Sequence, residues 1–155
     1  MRFGTKISLI PLTALLVAGC IKDDEFSEIP VLEFKSFNTF SANGNDLDSA
    51  SFTFSFTDGD GNLGSDDTTV VNCFLDYYEK DGDTMKYFPQ FQRSYRLPSL
   101  TPNAKDQSIS GEVSITIKPA PIFNLLTDSV YEWRCTVNDR VGNNSNQITT
   151  GILIK

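Results

Sequence analysis

Hydrophobic and polar residues alternate along several short stretches of the chain. Over residues 52–57 three phenylalanines alternate with serine and threonine, and the same period recurs over residues 112–118 and 131–137. A period of two sends successive side chains to opposite faces of a β-strand. The pattern therefore predicts half-buried antiparallel strands, each with one face in a core and the other in solvent.

The spacing of these stretches predicts an all-β domain. No window has a sustained helical period, Asp81-Gly82-Asp83 is typical of a tight hairpin, and the proline-containing apolar segment 119–126 predicts a crossover loop. The fold expected is an immunoglobulin-like or fibronectin-like antiparallel sandwich, with a jelly roll or small barrel as the alternative. The predicted strands, about seven in number, span residues 31–37, 51–57, 69–80, 85–91, 110–118, 129–138 and 146–154.

The first twenty residues have the pattern of an export signal. Arg2 and Lys6 precede an apolar stretch at 7–18 that is too short to span a bilayer comfortably. Residues 16–20, Leu-Val-Ala-Gly-Cys, resemble the lipobox of bacterial lipoproteins. That resemblance implies cleavage before Cys20 and attachment of diacylglycerol to its thiol, with two or three acyl chains holding the protein in a membrane.

The residues after Cys20 resemble a second address signal, a lysine followed by acidic residues. In certain Gram-negative bacteria such a signal directs lipoproteins to the outer face of the outer membrane; a periplasm-facing location is the alternative. The chain then divides into a signal peptide at 1–19, the acylated cysteine with a polar tether at 20–29, and the sandwich at 30–155. The signal residues are Lys22, Asp23, Asp24 and Glu25.

Charge and composition narrow the function. The formal net charge is −7, and removing a leader that carries Arg2 and Lys6 leaves 11 basic against 20 acidic residues, a net charge of −9. This balance argues against nucleic-acid binding and favours attraction of cations. The chain contains no histidine, which removes the usual general base and the commonest transition-metal ligand.

An acidic loop carries the most distinctive chemistry. Its oxygen-bearing residues alternate with glycines, as calcium loops do, but Leu63 and Thr69 occupy positions where an EF-hand needs glycine and glutamate. In a sandwich this loop opens at the same end as the loop containing Asp139. The alternatives are an ordinary polar turn and pairing with Arg140. We expect no required cofactor; the candidate calcium ligands are Asp58, Asp60, Asn62, Asp66, Asp67 and Asp139.

Two further cysteines lie on predicted inward strand faces. Cys73 and Cys135 are 62 residues apart, about the spacing of an inter-sheet disulfide in an immunoglobulin-like sandwich, with Trp133 nearby. Cys73 falls on the third predicted strand, whereas the usual pair joins the second and sixth. The alternative is two separate core thiols.

Three motifs together resemble a group of bacterial surface lipoproteins that have a lipobox, a Lys-acidic export signal and an immunoglobulin-like domain. The motifs are residues 56–64 (FTDGDGNLG), 77–80 (YYEK) and 139–146 (DRVGNNSN). The resemblance covers most of the mature chain. It implies a fold and a cellular address, and it carries no assigned activity.

These observations favour a non-enzymatic binding or adhesion module with a protein or glycan partner. The alternative is an accessory subunit of an outer-membrane uptake or secretion complex, while a glycosidase using paired carboxylates is disfavoured because the acids lie in a turn. Aromatic residues around the third and fourth strands offer a stacking surface, although core positions account for most of them. They are Tyr77, Tyr78, Tyr87, Phe88, Phe91 and Tyr95.

Overall fold

The computed structural model describes residues 26–41, 49–100, 107–118 and 130–154. Within these ranges the chain forms nine strands and one 3₁₀ turn, and none of its helices is long and apolar enough to cross a membrane. The signal peptide, Cys20, the export signal and the segment 119–126 lie outside the described residues. The elements are β1 (Val31–Phe40), β2 (Ser49–Asp58), β3 (Cys73–Asp81), β4 (Thr84–Tyr87), the 3₁₀ turn (Pro89–Phe91), β5 (Arg93–Tyr95), β6 (Ile109–Ile117), β7 (Val130–Val137), β8 (Ile148–Thr149) and β9 (Leu153–Ile154).

The strands form two antiparallel sheets that are not closed into a barrel. The first has the order β1-β2-β6, and the second has the order β4-β3-β7-β8, with β5 also pairing with β3 and β9 with β7. The chain therefore passes from one sheet to the other after β2, after β5 and after β6. This arrangement confirms the predicted all-β antiparallel sandwich.

Three predicted strands differ from the observed ones, and β5 (Arg93–Tyr95) was not predicted. Residues 69–72 form a loop rather than the start of β3, and Val70 and Val71 are exposed there. The fourth predicted strand ends at Tyr87 because Pro89, which lacks a backbone N–H, begins a 3₁₀ turn. The last predicted strand is divided into β8 and β9 by residues 150–152, where Gly151 has a φ of 69°.

Aromatic side chains fill the space between the sheets. Every second residue of β2 is buried, so Phe52 and Phe54 are fully inaccessible to solvent. From the second sheet Tyr77 and Trp133 meet edge to face with ring centroids 5.1 Å apart, and both are also fully buried. Such contacts add to the free energy gained from apolar burial, and they confirm the inward faces predicted from the alternation.

The chain enters the sandwich at the end where β2 finishes. Val31, the first residue of β1, pairs with Thr57, and the backbone N–H of Gly59 donates to the carbonyl oxygen of Ser27 at 2.7 Å. We call this the proximal end. The opposite, distal end carries the β3–β4 hairpin, in which Gly82 and the next residue form a two-residue turn, as the sequence predicted.

Candidate functional site

The loops that follow β2 and β7 meet at the proximal end. Leu63 and Asp139 form an isolated antiparallel bridge, and the N–H of Arg140 donates to the carbonyl oxygen of Asn62 at 3.3 Å. We call residues 58–65 and 138–145 together the loop junction. The structure thus brings Asp139 beside the acidic loop, as expected for the two loops of one sandwich end.

Glycines in the acidic loop allow other backbone segments to approach closely. A Cβ atom on Gly59 would overlap the carbonyl oxygen of Phe26, and one on Gly64 would overlap the carbonyl oxygen of Pro98. Gly61 and Gly64 also have φ values of 67° and 84°, in the left-handed region that favours glycine. The alternation of glycine with polar residues therefore has a packing reason that is independent of any ligand.

Asp58 is the most buried acidic group of the loop junction. Its side chain is fully inaccessible, and its Oδ2 accepts a hydrogen bond of 2.8 Å from the N–H of Leu63. Its Oδ1 is also buried and has no hydrogen-bond partner. The pKa of Asp58 is raised from 3.8 to about 6. Burial is the largest cause, and the negative charges of Asp60 and Asp139 make smaller contributions in the same direction.

Asn62 lies beside Asp58 and is held by Asp60. The N–H of Asn62 donates to Oδ1 of Asp60 at 3.3 Å, and its Nδ2 makes a short hydrogen bond to Oδ2 of the same carboxylate. The Oδ1 atom of Asn62 is buried without a hydrogen-bond partner. The loop therefore contains two buried acceptor oxygens, one on Asp58 and one on Asn62, that have no hydrogen-bond partner among the described residues, although the N–H of Asn62 acts to lower the pKa of Asp58.

Asp139 organises the second loop of the junction. Its Oδ1 accepts from the N–H groups of Val141 at 3.0 Å and Asn143 at 2.8 Å, and its Oδ2 accepts from Nδ2 of Asn143 at 2.7 Å. Both oxygens thus stabilise a tight turn. The carboxylate contributes negative charge to the junction while its hydrogen bonds remain within its own loop.

Arg140 bonds to backbone rather than to the acidic side chains. Its guanidinium donates to the carbonyl oxygens of Gly61 and Gly64, both at 3.3 Å, and to Oγ of Ser99 at 3.2 Å. The alternative in which Arg140 pairs with a carboxylate of the loop is therefore wrong for the described residues. Arg140 instead joins the two loops to the segment before residue 101.

The last two acids of the loop lie apart from Asp58. Asp66 and Asp67 are exposed, and Oδ1 of Asp67 accepts from the N–H and Oγ1 of Thr69 at 2.8 and 2.7 Å. These hydrogen bonds lower the pKa of Asp67. Among the described residues no group of three or more Asp, Glu or Cys side chains is arranged to hold a metal ion by itself, so a calcium site would need amide or carbonyl oxygens as well.

A pocket of about 320 Å³ opens beside the loop junction. Asp67, Asp139 and Arg140 line it together with Val70 and Asn72. The Asn72 side chain is itself fixed, because its Oδ1 accepts from the N–H of Leu97 at 2.7 Å and its Nδ2 donates to the Leu97 carbonyl at 3.2 Å.

A second candidate surface lies on the outer face of the second sheet. Tyr78 and Tyr87 are cross-strand neighbours with ring centroids 5.3 Å apart, and the guanidinium carbon of Arg134 lies 3.8 Å from the Tyr78 ring centroid. Glu132 accepts a hydrogen bond of 2.7 Å from Nε of Arg134 and fixes its position. We call these four residues the tyrosine face.

The other aromatic residues named from the sequence belong to the interior. Tyr77 is fully buried, while Phe88, Phe91 and Tyr95 are partly buried and pack against the core. Tyr87 is the most exposed of the six, at 37% of its surface. The two tyrosines of the tyrosine face were named from the sequence, but Arg134 was not. Arg134 contacts Tyr78 diagonally across the β3–β7 pair, and the register of that pair is a tertiary feature.

Cys73 and Cys135 lie on neighbouring strands of one sheet. Both thiols are free and fully buried, and their sulfur atoms are 3.9 Å apart. A disulfide between them would thus be a cross-strand bond within the second sheet, rather than the inter-sheet bond expected. The pairing itself stays a prediction.

No family model, curated protein or solved structure matches this chain. The resemblance to surface lipoproteins therefore depends on the sequence motifs given above. The interpretation of function depends on those motifs together with the geometry of the loop junction and the tyrosine face.

Proposed function

We propose that the chain is a lipid-anchored outer-membrane lipoprotein that faces the cell exterior and acts as a non-enzymatic binding module. The observation that carries this proposal is the tyrosine face. It presents two tyrosine rings and a guanidinium group on the outside of a sheet whose other face is packed into the core. Tyrosine rings and guanidinium groups on an outer sheet face are suited to stacking on sugar rings or on side chains of a partner protein.

The proximal end is the end closest to the proposed anchor. Five residues lie between Cys20 and Phe26, and an extended chain of that length places the two residues at most about 20 Å apart. The loop junction would then lie near the membrane. Tyr78 and Tyr87 belong to the distal half of the second sheet, which such a tether leaves accessible to large partners.

Polar groups beside the tyrosine face supply directional contacts. Nε2 of Gln92 donates to Oδ1 of Asp76 at 2.6 Å, and Asp76 is the cross-strand partner of Arg134. Fixed amide, carboxylate and guanidinium groups around an aromatic surface are suited to hydrogen bonding with glycan hydroxyls. They are equally suited to polar groups at the rim of a protein interface.

The chemistry of the acidic residues supports a binding role over a catalytic one. The chain has no histidine, Asp58 uses one oxygen to hold loop backbone, and Asp139 uses both oxygens to hold its own loop. A hydrolase needs its acids aimed at a substrate position. Here the hydrogen bonds aim them at N–H groups of their own loops.

The anchor is tested by labelling growing cells with an alkynyl fatty acid. We expect the label on the wild-type chain and its loss in Cys20→Ser, with the variant moving from the membrane to the soluble fraction. Surface display is tested with protease added to intact cells, using alanine substitutions at Lys22, Asp23, Asp24 and Glu25 as the comparison. These variants should stay acylated and become protected. An unlabelled wild-type chain would contradict the proposal.

Substitutions in the tyrosine face test the contact surface. Tyr87→Ala and Arg134→Ala should each weaken binding of the purified full chain to its glycan or cell-surface partner by about tenfold or more, because aromatic and arginine anchors dominate interfaces. Glycan arrays and binding to intact cells provide the measurement. Thr53→Ala, on the outer face of the first sheet, is the matched control and should bind as wild type.

The same variants separate the two proposed classes of function. A transporter or secretion component that co-purifies with the detergent-solubilised wild type and not with Tyr87→Ala would identify an accessory subunit. Equal glycan and partner binding by Tyr87→Ala, Arg134→Ala and Thr53→Ala would show that the tyrosine face is not the contact surface.

A further inference from the structure

The loop junction contains two buried acceptor oxygens that lack donors, Oδ1 of Asp58 and Oδ1 of Asn62. The side chain of Asp58 is fully inaccessible, and Asn62 is 8% exposed. Leaving a buried acceptor unsatisfied is costly, and each such group in a folded protein calls for a specific explanation, among them an ion. Two of them within five residues of one loop point to a shared positively charged occupant.

The charges around these oxygens favour a cation. Asp60 and Asp139 lie close enough to Asp58 for their negative charges to act on it. Arg140, within the junction, directs its guanidinium to carbonyl oxygens of Gly61 and Gly64, and Arg96 donates to the carbonyl oxygen of Ser65 at 2.9 Å. Three carboxylates therefore lie in the junction, and Arg140 donates hydrogen bonds to backbone carbonyl oxygens instead of to them.

The positions of the two oxygens are fixed by hydrogen bonds within the loop. Asp58 is held through its other oxygen by the N–H of Leu63, and Asn62 is held through its amide nitrogen by Asp60. Each side chain therefore presents one remaining oxygen. Asp60 also keeps a free lone pair on each carboxylate oxygen after accepting from Asn62.

We propose that the loop junction binds one calcium ion, with Asp58 Oδ1 and Asn62 Oδ1 as its central protein ligands and Asp60 as a third. Calcium takes six to eight hard oxygen ligands, and carbonyl oxygens or water complete the set in sites of mixed composition. In this proposal the exposed Asp66 and Asp67 do not contribute ligands. This proposal does not depend on the tyrosine face or on acylation of Cys20.

Thermal unfolding of the detergent-solubilised full chain tests the site. Trp133, the chain's only tryptophan, is fully buried and reports unfolding by fluorescence. Relative to chelator, calcium should raise the melting temperature by on the order of 10 °C at a hundredfold excess over the dissociation constant. Because loosely built extracellular sites bind at about 10⁻⁴–10⁻³ M, the titration extends to about 10 mM, roughly tenfold above the upper end of that range. Magnesium serves as the comparison ion.

Three variants locate the ion. Asp58→Asn should lose the calcium-dependent shift, while the matched control Asp67→Asn should keep it in full. Asn62→Asp adds a charged ligand and should bind calcium more tightly than the wild type. This gain of affinity keeps the proposal testable even if Asp58→Asn fails to fold.

Equilibrium dialysis with radioactive calcium gives the stoichiometry independently of stability. We expect one ion per wild-type and Asp67→Asn chain. The absence of bound calcium and of any melting shift at 10 mM would overturn the proposal, as would an equal shift in wild type and Asp58→Asn. Tighter binding by Asn62→Asp would support it.

Discussion

Replacing Gly64 with alanine should destabilise the domain by about 2–5 kcal/mol, because two separate costs add. The left-handed backbone at a φ of 84° is unfavourable for any residue with a Cβ atom. The new methyl group would also overlap the carbonyl oxygen of Pro98, which is backbone and moves only with its segment. Urea unfolding followed by Trp133 fluorescence measures the loss.

Gly82→Ala is the matched control for this substitution. Gly82 has a similar φ of 62°, but a Cβ there has no atom within 4 Å. Its replacement should cost about 1–2 kcal/mol, the penalty of the left-handed backbone alone. Equal losses for Gly64→Ala and Gly82→Ala would show that the close approach of Pro98 contributes nothing to stability.

Asp58 should make the domain less stable as the pH rises, when calcium is removed by chelator. Its pKa is raised to about 6 in the folded chain against 3.8 ordinarily, so the folded state binds the proton more tightly than the unfolded state between these values. The contribution of Asp58 to the free energy of unfolding is therefore greatest below about pH 4. It falls by about 3 kcal/mol as the pH rises through 6. The repulsion from Asp60 and Asp139 acts in the same direction.

Asp58→Asn isolates this contribution. The amide keeps an oxygen to accept from Leu63 and gains an N–H that can donate to Asn62, so in chelator at pH 8 the variant should be more stable than the wild type. The difference should vanish near pH 4. Denaturation with and without the substitution at pH 4, 6 and 8 measures it. A variant that is less stable than wild type at pH 8 in chelator would contradict this account.

Asp67→Asn should change the pH dependence of stability in the opposite direction when it is measured in the same experiment. Hydrogen bonds from Thr69 lower the pKa of Asp67, so its contribution to stability is present at neutral pH and is lost in acid. The two substitutions therefore change the pH profile in different directions, although both remove one carboxylate from the same loop.

The alternating strands were predictable because a period of two depends on the sequence alone. β2, β6 and β7 were predicted to within a few residues, and their inward rows are the core that the structure shows. Sequence reasoning failed where a β-branched pair, Val70 and Val71, lies exposed in a loop. Strand propensity describes a fit to a half-buried sheet surface, and no strand among the described residues pairs with these two.

The candidate site was predictable in its members and not in its connections. The proximity of Asp58 and Asp139 followed from the order of strands in a sandwich, and the bridge at Leu63 bears this out. The contacts of Gly59 with the segment at Phe26 and of Arg140 with loop carbonyls are tertiary, and no spacing in the sequence encodes them. A glycine motif indicates that another part of the chain packs closely there, but it does not identify which segment.

The docking of residues 26–27 on Gly59 has a mechanical consequence. If the chain is tethered through Cys20, a pull from a partner on the second sheet reaches the anchor along β1, whose nine residue pairs with β2 run parallel to the load. Hydrogen bonds between two strands that are pulled along the strand direction bear the force together. Hydrogen bonds between strands that are pulled apart from one end break one after another. With such a tether, the β1–β2 pairing would oppose mechanical unfolding of the sandwich.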